Sequence, residues 1–192
     1  MLKFTGDFET CTWLENETYV WAWALCEIGN ENNIIIGTDI EEFFNICYMC
    51  NGVKIYFHNL KFDSSFLLDY LFKHGYTLIK DKKDKKEKTF QCIISDLGAF
   101  YEIIVYENRK GKNWQKITFI DSMKIINLSV KKIAKAFNLP ISKLEIDYNE
   151  YRERGHILTD DEREYIKNDV KIVAMALNQL FNENLTQMTA AR

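Results

Sequence analysis

The sequence predicts one α/β domain, because strand patterns come first, strands and helices mix through the middle, and helices close the chain. Composition agrees: of 192 residues 47% are apolar, enough for a full core, while one Pro and eight Gly leave no material for a linker. No internal repeat or shift in composition marks a boundary, so residues 1–192 are expected to form a single unit.

Leu2 to Glu9 reads as a first strand. Thr18 to Ile28 reads as a second, with Trp21, Trp23 and Leu25 alternating onto one face. A turn at Gly29-Asn30-Glu31-Asn32 leads to a third strand, Asn33 to Ile36, closing a hairpin. Thr38 or Asp39 caps a helix from Ile40 to Asn51 that turns Phe43, Phe44, Cys47 and Met49 to the sheet. Asn51-Gly52 stops it, and Val53 to Phe57 is a short apolar run, the mark of a strand buried on both faces.

A second helix spans about Phe62 to Lys73, with Phe62, Phe66, Leu67, Tyr70 and Leu71 at helical spacing and Gly75 beyond it. From Lys80 to Lys88 come six lysines and three acids, which read as a solvated loop, with a loose phosphate contact as the sharper alternative. Thr89 to Ser95 and Phe100 to Glu107 then pair, and a turn at Asn108 to Lys112 leads to a strand from Trp114 to Ile120. Ser129 caps a short helix with Ile133, Ala134 and Phe137, followed by Pro140. Thr159 and Glu162 form a capping box opening a long helix to about Asn182.

A net charge of −3 excludes a generically basic coat for nucleic acid but not a local basic groove. No run of eighteen apolar residues exists, and Met1-Leu2-Lys3 opens a strand rather than a signal peptide, so a soluble, cytoplasmic chain with no membrane partner is expected. The five cysteines are irregularly spaced. Cys47-x-x-Cys50 lies near a helix end with no further pair for zinc, so they read as small hydrophobes.

Three acidic clusters carry the chemistry. Asp7 and Glu9, two apart on the first strand, share a face while Phe8 points to the core; alone, the pair reads equally as a solvent-facing edge. His58-Asn59-Leu60-Lys61-Phe62-Asp63 follows the buried fourth strand, at the end where open α/β sheets bind ligands. Asp63 there also reads as an acid complementing the helix dipole. In the last helix Tyr165 and Asp169 lie four apart, on a face continued by Ile172, Val173 and Ala176, where a carboxylate is costly unless paired or metal-bound. Asp7, Glu9, Asp63 and Asp169 suffice to hold two divalent ions about 3.5–4 Å apart for phosphodiester hydrolysis. An all-oxygen set points to Mg²⁺ or Mn²⁺ rather than zinc. Tyr165, whose ordinary pKa is about 10, suits positioning of the attacking water rather than general base duty.

Asp7-Phe8-Glu9-Thr10, Tyr56 through Asp63, and Tyr165-Ile166-Lys167-Asn168-Asp169 together resemble the three exonuclease motifs of the protein-primed family B DNA polymerases of small bacteriophages. These belong to the tyrosine subclass of the DEDD exonucleases, with a ribonuclease-H-like mixed sheet flanked by helices. Asp121 to Lys124, Val130 to Lys135, Ile146-Asp147-Tyr148 and Gln187-Met188-Thr189-Ala190 extend the likeness from Phe4 to Ala190.

The resemblance implies a proofreading 3′–5′ exonuclease releasing nucleoside monophosphates from single-stranded DNA, in host cytoplasm if phage-encoded. Asp7, Glu9, Asp63 and Asp169 become metal ligands, Tyr165 orients water, and Lys143 approaches the scissile phosphate. Thr10, His58, Asn59, Phe62, Ser122 and Met123 grip the 3′ end, with Phe62 as a stacking ring, and Tyr148 is a further contact. A polymerase module and a terminal priming protein are the implied partners. The polymerase motifs themselves (an S-L-Y-P-like segment, Y-x-G-G, D-T-D) do not occur here. The alternative is a catalytically weak module binding single-stranded DNA or the priming protein. Without a sustained heptad pattern, a monomer is expected.

Overall fold

A computed structural model describes residues 1–14, 17–50, 52–94, 100–111, 113–148 and 150–186, apart from the side chains of residues 12–14, 100 and 110. The resembling segment at 187–190 lies outside the described residues. The chain runs β1 (Leu2–Leu14), β2 (Glu17–Glu27), β3 (Ile34–Gly37), α1 (Ile40–Met49), β4 (Val53–Phe57) and α2 (Leu60–Lys73). It continues through β5 (Thr77–Leu78), β6 (Thr89–Ile94), β7 (Phe100–Lys110), β8 (Asn113–Asp121), α3 (Val130–Ala136) and α4 (Asp160–Asn182).

One mixed sheet has the order β3-β2-β1-β4-β8-β7-β6-β5. At its centre β1, β4 and β8 are mutually parallel, with Gly6 opposite Phe57 and Phe57 opposite Asp121. The carboxyl ends of β4 and β8 therefore lie at one level, and β1 runs on beyond them, with Asp7 just past the last β1–β4 pair. Gly6 permits the close approach: a Cβ there would meet Ile55 Cγ2 at 2.9 Å and the Phe57 ring at 3.1 Å.

Helices cover both faces. On one, Phe43, Phe44 and Cys47 of α1 and Leu67, Tyr70 and Leu71 of α2 pack on Phe4, Phe8, Trp23, Phe57 and Phe119. On the other, Ile166, Val170 and Ala174 of α4 cover Ala22, Ala24 and Cys26, and Ile172, Val173 and Leu177 meet Tyr56, Ile120 and Ile133. Phe57 and Tyr56 thus face opposite layers, as expected of a strand buried on both sides.

Several expectations need correction. Trp21 does not share a face with Trp23 and Leu25. The β1–β2 ladder slips between the pairs Glu9–Ala22 and Thr10–Val20, and this bulge sends Trp21 to the α4 side. Met49 is 85% exposed, because it lies about 200° around the helix from Cys47. Helix α2 begins at Leu60, two residues early, behind Asn59 in the left-handed conformation (φ 75°). Its buried stripe runs through Leu60, Ser64, Leu67 and Leu71, leaving Phe62 half exposed. Residues 108–110 belong to the β7–β8 ladder rather than to a turn. Cys11, Cys26 and Cys47 are buried hydrophobes, but Cys50 and Cys92 are only half-buried.

The start of α4 is the best-anchored terminus. Thr159 caps it in the expected box with Glu162, which also receives Arg152 Nε and lies 2.8 Å from His156 Nε2. Burial works to raise the Glu162 carboxyl, but Arg152, the Thr159 amide and His156 override it and hold the pKa down to about 2. A depressed carboxyl adds stability that is present above its ordinary value and is lost as pH falls from about 4.5 toward 2. Glu162→Ala removes the buried carboxylate partner of Arg152 and leaves its charge to the exposed Glu150 carboxylate, a loss of about 3 kcal/mol. We expect a melting temperature lower by about 10 °C and a weakened acid transition, both readable by circular dichroism. Breaking the exposed Lys73–Asp69 pair should move the midpoint by no more than about 2 °C.

Candidate active site

The middle of β1, the carboxyl end of β4 and the middle of α4 border a cleft of about 220 Å³. Asp7 and Glu9 project from β1 by strand alternation, on the face opposite Phe8. Asp63 comes from the first turn of α2, and Tyr165 and Asp169 from successive turns of α4. Thr5, next on the Asp7–Glu9 face, donates to the Val170 carbonyl at 2.8 Å and ties β1 to α4. It escaped the sequence reading, although the same alternation that singles out Asp7 and Glu9 points to it.

Asp7 is half-buried and Glu9, Asp63 and Asp169 are buried. Burial, then the Asp169 charge, pushes the Asp7 carboxyl up to about 7. Burial and then Asp7 raise Glu9 and Asp63 well above their ordinary values. Asp169 is raised less steeply in kind, because Lys143 Nζ pairs directly with its Oδ2 and opposes the effect of burial. Burial alone would lower Lys143, but Asp169 overrides it, and the ammonium is held above its ordinary value. The same ammonium lies 3.5 Å from Tyr165 Oη and 5.3 Å from the ring centroid. Tyr165 Oη is 2.5 Å from Tyr148 Oη, and burial followed by the Glu9 charge keeps it protonated.

Of the remaining candidates, His58, Asn59 and Phe62 line the cleft, and Phe62 is 53% exposed. Thr10 and Tyr148 border a small adjoining hollow. Ser122 faces neither: fully buried, it donates to the Phe57 carbonyl at 3.1 Å and lies 3.0 Å from His58 Nδ1. His58 Nε2 donates to the Leu128 carbonyl at 2.7 Å, and burial lowers the ring's pKa. The direct DNA contact expected of Ser122 is therefore replaced by support of His58. Met123 also borders neither hollow; its amide donates to Asp121 Oδ1 at 3.0 Å. Asp121, unnoticed as a site residue in the sequence, also accepts the Asn59 amide at 3.3 Å and so braces the left-handed turn into α2.

As they stand, no three His, Cys, Asp or Glu side chains among the described residues are grouped to hold a metal ion. The chemistry of the set nevertheless fits a hard divalent cation. All four groups are carboxylates with raised pKa values, and Asp63 Oδ1 and Asp169 Oδ1 are buried without a hydrogen-bond partner.

The profile of the family described as DNA polymerase type B, organellar and viral, matches residues 44–159. The chain belongs to this family. Among its relatives, the DNA polymerase of Bacillus phage M2 is 42% identical over 187 residues, covering 97% of this chain and 32% of that protein. The polymerase of Streptococcus phage Cp-1 is 29% identical over 202 residues, again covering 32% of the relative. Phi29 DNA polymerase complexed with single-stranded DNA superposes with a TM-score of 0.92 at 35% identity, over 98% of this chain and 33% of that one. This type B polymerase chain thus spans about a third of the length of its relatives and has the ribonuclease-H-like mixed α/β fold expected from its sequence.

Raised carboxyl pKa values mean that the folded chain holds more protons than the unfolded chain between about pH 4 and 7. Stability contributed by these protons is therefore lost as pH rises through that window. In chelator, we expect the melting temperature to fall from pH 5 to pH 8. Asp63→Asn should flatten the fall and raise the pH 8 value by about 3 °C, as expected for about 1 kcal/mol. A lower melting temperature for Asp63→Asn at pH 8 would show that this carboxylate is not under electrostatic strain.

Proposed function

We propose that the chain is the metal-dependent 3′–5′ exonuclease unit of a DNA polymerase, releasing nucleoside monophosphates from single-stranded DNA ends in proofreading. The observation that carries this reading is the meeting of four carboxylates from three separate segments in one cleft, two of them with an orphaned buried oxygen. A solved relative, 35% identical, is complexed with single-stranded DNA, which supports that substrate class.

Asp7, Glu9, Asp63 and Asp169 would hold two divalent cations, Mg²⁺ or Mn²⁺. Bound there, they supply charge neutralisation of the phosphate and a more acidic water. Around them the chain's own groups have separate tasks. The exposed Phe62 offers its face to a terminal base, holding a frayed strand without reading its sequence. Asn59 and His58 line the same wall, with burial lowering the His58 pKa. Tyr165 stays protonated and aims its hydroxyl at the attacking water. Lys143, charged beside it, balances the phosphodiester. Thr10 and Tyr148 border the path of the strand. The unit is taken as one domain over residues 1–192, monomeric and cytoplasmic, working with a polymerase module and a terminal priming protein. No helix among the described residues is long and apolar enough to cross a membrane.

A gel assay on 5′-labelled single-stranded DNA tests this reading. With Mg²⁺ or Mn²⁺ it should give a ladder of shortened products, abolished by EDTA. Asp7→Ala/Glu9→Ala should lower the rate by at least about a thousandfold, the several kcal/mol expected when charge stabilisation is lost. Tyr165→Phe, which deletes one oriented hydroxyl, should cost about tenfold to a hundredfold. DNA that stays intact but is retarded on a native gel would identify a binding module instead.

A further inference from the structure

Between α3 and α4 the described residues form neither helix nor strand, yet this stretch supplies Lys143 to the cleft and Tyr148 to the hollow beside it. Lys143 is held there by its own ion pair with Asp169. Tyr148 is 60% exposed, its ring meets that of Tyr165 edge-on, and its hydroxyl lies 2.5 Å from the Tyr165 hydroxyl. Ser142, Ile146 and Leu158 are also tied to the body of the fold, and near Tyr148 one buried side chain, Arg152, links the stretch to α4.

The guanidinium of Arg152 uses its whole fork. Nε donates to the Glu162 carboxylate on α4. One terminal nitrogen donates to the carbonyls of Asp147 and Glu150, both at 3.0 Å, and the other to the Glu150 carboxylate at 3.1 Å. Its face lies 4.7 Å from the ring centroid of Trp21, the residue that the β2 bulge moves to this side of the sheet. The Arg152 carbonyl accepts the Tyr19 hydroxyl at 2.7 Å. Asp147 directly precedes Tyr148, and Glu162 precedes Tyr165 by three residues on the same helix face. A single planar group therefore spans the two segments whose tyrosines meet. Lysine offers no such fork: its ammonium is a point charge on a flexible stem.

We propose that Arg152 is the positioning residue that sets Tyr148 against Tyr165 and thereby orients the Tyr165 hydroxyl for hydrolysis. The inference rests on the exonuclease reading for its catalytic consequence, and on the structure alone for the placement.

The test is a double-variant cycle on the whole chain with Mn²⁺ and 5′-labelled single-stranded DNA. Arg152→Lys should lower kcat by about tenfold with KM changed less than about threefold, and Tyr148→Phe should do the same. Adding Arg152→Lys to Tyr148→Phe should cost little more, since both act through one contact. In parallel, backbone hydrogen exchange over residues 144–152 should speed by about tenfold or more in Arg152→Lys, with exchange in β1, β4 and the body of α4 unchanged. Should Arg152→Lys fail to fold, Glu162→Gln, which keeps a hydrogen-bond acceptor but removes its charge, takes its place in both arms with the same expected signs. Equal losses of kcat in the two backgrounds, or unchanged exchange over 144–152, would overturn the assignment. A wild-type chain that leaves DNA intact would defeat the exonuclease reading instead, and the exchange arm alone would then decide whether Arg152 holds the segment.

Discussion

Four like charges must stand in one small, partly dry cleft, and that electrostatic constraint governs the rest of the structure. Burial raises all four carboxyl pKa values, Asp169 further raises Asp7 and Glu9, Asp7 raises Glu9 and Asp63, and among the described residues lining the cleft Lys143 is the only lysine or arginine. Left to themselves these groups would drive their segments apart or draw in water. They are kept together by packing elsewhere. The Phe-rich layer under α1 and α2 fixes β1 and β4, and the apolar stripe of α4 fixes Tyr165 and Asp169 on the opposite side. Such a site is stable only because its backbone has no freedom to relax.

The parallel centre of the sheet makes the convergence possible. Because β1, β4 and β8 run the same way, and β4 and β8 end at the level where β1 passes Gly6, three chain segments distant in sequence deliver their next residues to one edge. Asp7 continues β1 past the end of β4, His58 and Asn59 leave β4, and Asp121 ends β8 and braces Asn59. An antiparallel centre would have carried these residues to opposite ends of the sheet. The β2 bulge has a matching effect on the other side of the cleft. By moving one tryptophan between layers it provides an aromatic seat for a buried arginine, and the arginine in turn orders a stretch without secondary structure.

Most of the fold was legible in the sequence because its signals are local. Alternation marked the strands, the Thr159–Glu162 box marked the start of α4, and the Val53–Phe57 run marked a strand covered on both faces. The four carboxylates stood out for a different reason: taken singly Asp7 and Glu9 read equally as a solvent-facing edge and Asp63 as an acid facing the helix dipole, and only three acidic clusters that one sheet can gather point to a shared site. The errors arose where a long-range partner decides the outcome. Strict period-two counting placed Trp21 with Trp23, and only the pairing of β1 with β2 shows the inserted residue. Ser122 was read as a DNA contact from resemblance, whereas its burial follows from its hydrogen bond to the end of β4. Arg152 lies in a run of exposed charged residues, and no local pattern separates it from Arg154, whose side chain is open to solvent.

Charge balance gives the four-carboxylate set its sense. Lys143 compensates Asp169 alone, and the cleft otherwise carries an excess of negative charge that should repel a polyanionic strand. At Asp7 protonation relieves this repulsion up to about neutral pH. Two divalent cations would cancel four carboxylates in full. The Lys143 ammonium would then be left over, beside Tyr165, as the one positive charge available to match one phosphodiester. A cleft built only to bind single-stranded DNA would reach neutrality more cheaply by replacing the acids. The carboxylates and the lysine balance when cations and one phosphate are counted together, which is the composition that the proposed hydrolytic complex requires.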